Sequence, residues 1–466
     1  MNKEELFGLP SNLLINSSLL LLKQGLLVKH RPDLSATIPL TSTSTKYSKY
    51  LKLIKNGEGP KINSGIVVGT VRMGYGHHRM AYSVYSHAID KKKEVHLHDL
   101  VEIESKEANI VKEVDGVYSS LSRYASELGG GLEWALGLVT SQGNVYSLQF
   151  STMLANDLKN LLKDVSFHLP YISTYPINGQ IAASCGFEKI VHLVPDNLPQ
   201  YFLLVPKAMN LVQSPSSYMK FIDMGIPKEN LAVAGHWVSF DVATNSIKDS
   251  EKRIKRIQKR CPKRLLLPIG GAGAQKKYIL ELLKNLGNKL RDKELYLFLN
   301  AGNHKGFFDT LKDFFEKSNI ETEIISDTDS LFQFCKKNDL SENEKNLKPV
   351  TLFYFENYFE AFSTTDKLIR ISDILITKPS ELAFYPIPKI FIRRVGEHEA
   401  QSVFRSIELG EGTTECREVS HSMDMINLLC EEKNLSLRMN ECIIRNSQNQ
   451  IYNGAKFALD MALSMK

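Results

Sequence analysis

The chain of 466 residues is poor in cysteine and tryptophan and has no long apolar run. Its six cysteines, at positions 185, 261, 335, 416, 430 and 442, form no CxxC pair. A chain this long and this cysteine-poor is not a disulfide scaffold, so reduced thiols are expected. No stretch reaches the roughly 18 unbroken apolar residues of a spanning helix. The start, MNKEELFGLPSNLLINSSLLLLKQGLLVKHRP, is leucine-rich, but Asn, Ser, Lys and Gln interrupt it. Glu4 and Glu5, with no small-residue cleavage site, argue against a signal peptide. A cytoplasmic protein is therefore expected. Lysine and arginine number 58 and Asp and Glu 52, for a net charge of +6. That falls short of a nucleic-acid signature, yet it favours a phosphate ligand or an anionic surface.

What is present reads as folded. Hydrophobic residues make up 43% and charged residues 24%, a globular composition, and the length predicts two or three domains. Residues 1–60 read as an extension. Within it Lys46, Lys49, Lys52 and Lys55 recur every three residues, with Tyr47, Tyr50, Leu51 and Ile54 between them. Read as a helix, this segment has one basic and one apolar face, suited either to an anionic membrane or to packing on its own domain.

From Ser64 the pattern changes. GIVVGT is a short apolar run ending in glycine, as in a buried parallel strand, and RMGYGHHRMAYSVYSHAI follows as a glycine loop opening a helix. EVHLHDLVEI, PYISTYP, KIVHLVPD, MNLVQSP and NLAVAGHWV are further strand candidates, and helical patterns fill roughly 104–165. KDSEKRIKRIQKRCPKR is highly charged and suits a linker or an exposed helix. The strand, glycine loop and helix then restart at RLLLPIGGAGAQKKYILELLKNLG. ELYLFLNAGN, IETEIIS, VTLFYF, DILITKPS and PKIFIRR continue the alternation. Two α/β halves are expected, with no internal repeat of solenoid period.

Neither glycine loop fits a common nucleotide fingerprint. The first runs from Gly69 through Gly74 and Gly76 to His77, His78 and Arg79. It lacks the Lys-Ser/Thr of a P-loop, and Arg79 stands where a dinucleotide fingerprint needs glycine. It leaves approachable N–H groups and a histidine at a helix start, where the dipole favours a neutral imidazole able to act as a base. The second loop, Gly270, Gly271, Ala272 and Gly273, suits a pyrophosphate at a helix N-terminus.

Over residues 64–450 the ordered set of these motifs resembles the GT-B glycosyltransferases of the MurG, monogalactosyldiacylglycerol-synthase and processive diacylglycerol-glucosyltransferase group. GTVRMGYGHHRMA looks like that group's N-domain glycine loop, and VYSSLSRYASELGG like its Tyr-rich helix. IGGAGAQKKYI looks like the C-domain loop, and SDILITKPSELAFYPIPKIFIRRVGEHEAQSVFRSIELGEGT like the nucleotide-sugar stretch. The glycines usual after the Lys-Pro pair are missing. The resemblance implies two Rossmann-like domains facing across a cleft: an acceptor domain at 61–240 and a nucleotide-sugar domain at 241–445. A terminal helix at 446–466 would pack back on the first.

It also implies an inverting transfer of a hexose from a UDP-sugar to a lipid hydroxyl such as that of diacylglycerol, on the inner face of the cell membrane. No cofactor and no metal are expected. His77 is then the general base, with Asp99 or Asp196 orienting or replacing it, and Gly74 and Gly76 form the acceptor-side loop. Gly270, Gly271, Ala272 and Gly273 hold the diphosphate, Lys378 neutralises phosphate charge and Glu381 accepts the ribose hydroxyls. Glu397, His398 and Gln401 contact the sugar. The leucine-rich start, the lysine segment and GGGLEWALGLV at 129–139, with Trp134, would face the bilayer.

Blander readings stand beside these. Glu381 is also a natural cap for a helix after Pro379, and Asp196 a natural turn residue. Asp327-Thr-Asp329 mimics a metal motif of another fold but sits in a charged loop, and His96 and His98 share a strand face without a third ligand. Two other functions stay open: a UDP-sugar 2-epimerase-like enzyme, and a degenerate GT-B protein that binds without turnover.

Overall fold

The computed structural model describes residues 6–9, 13–114, 144–269, 275–341, 347–394 and 399–465. Its contacts divide the chain into two units. One comprises Met1–Met73, Met80–Gly235 and Ala455–Lys466. The other comprises Gly74–Arg79 and His236–Gly454. Each is a Rossmann-like α/β unit built on its own sheet.

In the first unit the strands are β1 (Leu40–Ser44), β2 (Leu51–Asn56), β3 (Ile66–Thr70), β4 (Val95–Asp99), β5 (Tyr171–Ser173), β6 (Ile190–Leu193), β7 (Met209–Val212) and β8 (Leu231–Val233). They line up as β1-β2-β4-β3-β5-β6-β7-β8. Every neighbouring pair is parallel except β1 and β2. All five residues of β3 are buried, as a strand covered on both faces requires. Gly69 on this strand has a packing reason: a Cβ there would fall 2.3 Å from the Tyr171 hydroxyl oxygen.

The extension departs from expectation. Lys46 and Lys49 lie in a hairpin turn, while Lys52 and Lys55 lie on β2. Strand pairing overrides the three-residue spacing: β2 hydrogen-bonds to β1 on one side and β4 on the other, and Leu51 and Ile54 are buried. Lys52 pairs with Glu94 at 2.6 Å. The leucine-rich start forms a helix, Leu13–His30, that puts Ile15, Leu19, Leu22 and Leu27 into the unit's core. Leu20, Leu21 and Val28 of the same helix stay exposed. Two expected features, VYSSLSRYASELGG and the Trp134 segment at 129–139, lie outside the described residues.

In the second unit the strands are β9 (Lys263–Pro268), β10 (Leu295–Asn300), β11 (Thr322–Ile325), β12 (Val350–Phe353), β13 (Ile374–Thr377), β14 (Lys389–Ile392) and β15 (Gly412–Cys416). They line up as β11-β12-β10-β9-β13-β14-β15, parallel throughout. Leu265, Leu267, Leu297, Leu299, Leu352 and Ile376 meet helix residues such as Leu283 and Leu286 in one core.

The charged stretch after 240 is no linker. It is the helix Phe240–Gln258, and two of its arginines are buried. Arg253 donates to the backbone carbonyls of Ile369 and Ser372, both at 2.8 Å. Arg256 pairs with Asp373 at 3.0 Å. A guanidinium carries five fixed donors, so it satisfies several buried acceptors at once, and a sequence rich in Arg reads as exposed when it is not. The last helix, Gly454–Ser464, belongs to the first unit from Ala455 onward, where Asp460 pairs with Lys91.

Candidate functional site

Parallel sheets gather ligands outside the carboxyl ends of their strands, at the point where the connections reverse direction. In the second unit that point is β9, flanked by β10 and β13. A pocket opens there. Pro268 and Ile269 line it from β9, Asn300 and Gly302 from β10, and Thr377, Lys378, Ser380 and Glu381 from β13. Tyr75 and Arg79, from the Gly74–Arg79 segment, complete the wall. The cavity is small, ≈ 20 Å³, room for a water molecule or one ligand hydroxyl rather than a whole ligand.

The electrostatics centre on Arg79. It lies in the helix Gly76–Asp90 and is 3% exposed. Its Nη1 donates to Asp366 Oδ1 at 2.6 Å, and its Nε stands 3.7 Å from Glu381 Oε1. Asp366, also 3% exposed at its side chain, accepts from Ser239 Oγ at 2.5 Å and from the Tyr385 hydroxyl at 3.4 Å. Burial opposes charge on Arg79, but Tyr385, Asp366 and Glu381 more than offset it and hold the guanidinium protonated. Burial raises Asp366 above the usual carboxylate range. Burial also opposes charge on Glu381, yet Arg79 and Lys378 prevail and hold its carboxyl below the ordinary value. Arg79 is thus shared between two carboxylates. Glu381 is the more accessible of the two, its side chain about a quarter exposed.

Hydrogen bonds fix the surrounding loops. The Tyr75 hydroxyl bonds the Asn303 side chain and accepts from the Asn303 N–H at 3.0 Å. The Tyr358 hydroxyl donates to the Gly74 carbonyl. Asn300 donates to the Ala361 carbonyl at 3.1 Å and to Thr365 Oγ1 at 3.0 Å, and accepts from the Gly302 N–H at 3.0 Å. Gly302 has φ +61°, and a Cβ there would fall 2.6 Å from the Tyr75 hydroxyl oxygen, so the turn and the approach both demand glycine.

The other sequence-derived candidates divide. His77 and Gly76 start the helix that carries Arg79, and a Cβ on Gly76 would lie 3.8 Å from Glu381 Oε2. His77 is half-buried, whereas His78 is buried against the rings of Tyr358 and Phe362 and serves packing. Gly74 has φ +80°. Lys378 is engaged with Glu399 at 2.7 Å. Glu381 opens a short 3₁₀ turn, Glu381–Phe384. Gln401 is half-buried in the first turn of the helix Ala400–Glu408. Gly270, Gly271, Ala272, Gly273, Glu397 and His398 lie outside the described residues.

Asp99 and Asp196 belong to the first unit. Asp99 ends β4, and its Oδ1 accepts from the N–H groups of Arg72 at 3.2 Å and Val101 at 3.1 Å, which shapes the loop after β3. Asp196 is half-buried in the turn after β6. Sequence reasoning missed Arg79, Asp366, Tyr75 and Glu399. Arg79 lay inside the quoted loop, and its signal was a charged residue where a tight helix–strand turn expects glycine.

Two look-alike motifs have structural roles. Asp327 caps the helix Thr328–Lys337, accepting from the Ser330 N–H at 2.8 Å. His96 bonds Ser42 Oγ at 2.6 Å, and His98 lies between the Tyr171 hydroxyl and the Leu161 carbonyl, both at 2.9 Å. Among the described residues no group of three or more His, Cys, Asp or Glu is placed to hold a metal, and no helix is long and apolar enough to cross a membrane.

Several solved structures share the chain path at low identity. A UDP-GlcNAc 2-epimerase from Neisseria meningitidis bound to UDP-GlcNAc is 12% identical, with a TM-score of 0.48 over 86% of this chain and 99% of its own. Anabaena Alr3699/HepE in complex with UDP is 11% identical, with a TM-score of 0.41 over 86% and 100%. The glycosyltransferase SnogD from Streptomyces nogalater is 11% identical, with a TM-score of 0.41 over 84% and 99%. No curated protein matches the chain. Residues 29–222 match the model of a domain of unknown function, DUF6937. Residues 226–463, just over half of the chain, match that of a second domain of unknown function, DUF6938, and the chain belongs to the DUF6938 family.

Proposed function

We propose that this protein is an inverting glycosyltransferase that moves a hexose from a UDP-sugar to a lipid hydroxyl at the cytoplasmic face of the membrane. The observation that carries the reading is the Glu381 carboxylate, kept ionised by Arg79 in a pocket at the carboxyl ends of β9, β10 and β13. An ionised carboxylate is acceptor-only, so it takes two neighbouring hydroxyls, as a ribose offers them. The cavity, ≈ 20 Å³, admits a hydroxyl and little more.

In this mechanism the acceptor hydroxyl gives its proton to His77. Its oxygen bonds the anomeric carbon from the face opposite the leaving group, and the bond from that carbon to the UDP oxygen breaks. Gly270, Gly271, Ala272 and Gly273 offer N–H groups to the departing diphosphate, a form of charge stabilisation that needs no metal. Lys378 shares its charge between Glu399 and phosphate. Glu397, His398 and Gln401 contact the sugar. The lipid half of the reading rests on the first unit, where exposed Leu20, Leu21 and Val28 and the exposed Lys46, Tyr47 and Lys49 of the hairpin suit an anionic bilayer.

The test is a transfer assay with radiolabelled UDP-sugars and mixed lipid vesicles, wild type beside His77→Ala. A labelled lipid is expected, and the variant is expected to lose roughly 10²–10⁴-fold in rate, the usual worth of a general base. Label that stays in the water phase across the panel, as intact or epimerised UDP-sugar, refutes the transferase reading.

A further inference from the structure

A second pocket opens in the first unit, at the edge of the sheet opposite the carboxyl ends. Asn156 and Lys159 border it where the helix Val145–Asp157 ends. Ser184 closes the helix Pro176–Ser184 beside it, and Lys207 stands just ahead of β7. All precede strands rather than follow them, so the usual ligand edge of a parallel sheet does not account for this cavity. Its volume is ≈ 230 Å³, below the ~300–1,000 Å³ of drug-sized sites, which limits the occupant to a small molecule.

The lining is polar and unevenly satisfied. Neither Lys159 nor Lys207 has a carboxylate partner among the described residues. The nearby carboxylate of Asp157 is already taken by Lys23 at 2.7 Å. At the floor, Gln180 is 1% exposed and Thr152 is 8% exposed. The Gln180 amide donates from Nε2 to the Leu204 carbonyl at 3.0 Å, which leaves Oε1 as its free end. Gln180 Oε1 and Thr152 Oγ1 are both without a hydrogen-bond partner.

A lysine near a helix C-terminus is ordinary, since it favours the dipole. Helix capping does not explain a buried acceptor left unmade beneath a cavity, because such an atom costs stability until a donor reaches it. The two features select a ligand together. The lysines call for an anion. An ionised phosphate monoester offers only acceptors and cannot satisfy Gln180 Oε1, so the ligand needs a second, donating group, which a hydroxyl supplies.

We propose that this pocket binds a small phosphorylated polyol of about one sugar ring. Its phosphate lies between Lys159 and Lys207, and a hydroxyl is directed to Gln180 and Thr152 after a small adjustment of the floor. The site is separate from the Glu381 pocket and does not depend on the transferase reading.

Calorimetric titration of the full chain tests it with three probes: glucose 6-phosphate, inorganic phosphate and glucose. Glucose 6-phosphate is expected to saturate one site with a Kd of about 1 mM or tighter, and the other two to bind roughly tenfold more weakly or worse. Lys159→Ala with Lys207→Ala alters accessible side chains and is expected to fold. It should lose roughly tenfold or more in affinity for glucose 6-phosphate, a change of about 1.4 kcal/mol. Gln180→Leu should erase the advantage over phosphate, and Glu381→Gln should leave this binding unchanged. The proposal falls if glucose 6-phosphate shows no binding up to about 10 mM. It falls equally if the double lysine variant binds like wild type, if phosphate binds as tightly as the sugar phosphate, or if Glu381→Gln abolishes binding.

Discussion

Replacing Arg79 by methionine is the sharpest test of the charge arrangement in the second unit. The substitution keeps most of the side-chain volume and removes the one cation that faces both Asp366 and Glu381. Asp366 suffers most. It is 2% exposed, and its Oδ1 loses a partner at 2.6 Å, while Ser239 and Tyr385 remain on Oδ2. Removing one partner of a buried ion pair costs about 3–5 kcal/mol, because the other charge stays buried without compensation. That is a large part of the stability of an ordinary domain.

The sign with pH follows from Asp366. Burial already raises its carboxyl while Arg79 is present, and without Arg79 the rise is larger. A carboxyl with a raised folded pKa favours the folded state once it is protonated. The damage is therefore full above the folded pKa and shrinks as pH falls toward the unfolded value of about 3.9. Urea unfolding of wild type, Arg79→Met, Asp366→Asn and the double variant measures this at pH 7 and pH 5. The double variant should recover most of the loss, and Arg79→Met should lie closer to wild type at pH 5. A loss under about 1 kcal/mol, the level of an exposed pair, or strict additivity in the cycle would refute the reasoning.

Three further outcomes are expected. Glu381→Gln should weaken UDP binding by roughly tenfold or more in a titration without acceptor, since a charge-assisted bond becomes a neutral one; unchanged affinity would remove Glu381 from the donor site. Asp327→Ala should lower stability slightly through the lost cap and leave any transferase rate untouched, so a rate that falls with added chelator or with this variant would revive the metal reading. His98 is held neutral by burial, its pKa pushed down to about 4. The unfolded chain binds a proton below about pH 6.5 that the folded chain refuses, so stability falls as pH drops from there toward 4, by about 3 kcal/mol in all; His98→Gln should flatten that limb of a pH–stability curve.

The central strands of both sheets were legible because they are covered on both faces. GIVVGT, RLLLPIGG, ELYLFLNAGN and DILITKPS became β3, β9, β10 and β13, and a buried parallel strand announces itself as an uninterrupted apolar run between breakers. The first hairpin, β1 and β2, was not legible. β2 shows Leu51 and Ile54 inward with lysines around them, a spacing that suits a helix as well as a twisted strand. Only the pairing with β4, 44 residues further on in register, decides between them. The helix Phe240–Gln258 misled for a related reason. Arg253 and Arg256 are charged in the sequence but spend their donors on carbonyls and a carboxylate more than 100 residues away.

The same distance hides the centre of the site. Glu381 stood out because a short motif surrounds it, whereas Arg79 was visible only as a residue that broke a fingerprint. Its meaning depends on Asp366, 287 positions along the chain, and no local pattern connects the two. Once they are joined, the glycine loop is seen to do two things. Gly74, at φ +80°, lets the backbone turn tightly, and the helix that follows delivers a buried cation to two carboxylates. Lysine at 79 would lack the fork that reaches Asp366 through Nη1 while holding Nε toward Glu381. Arginine is therefore a specific requirement of this pocket, and Arg79→Lys should weaken UDP binding as well as stability even though the charge is kept. If Arg79→Lys binds UDP like wild type, Arg79 serves the fold alone, and the ionisation of Glu381 must be secured by Lys378.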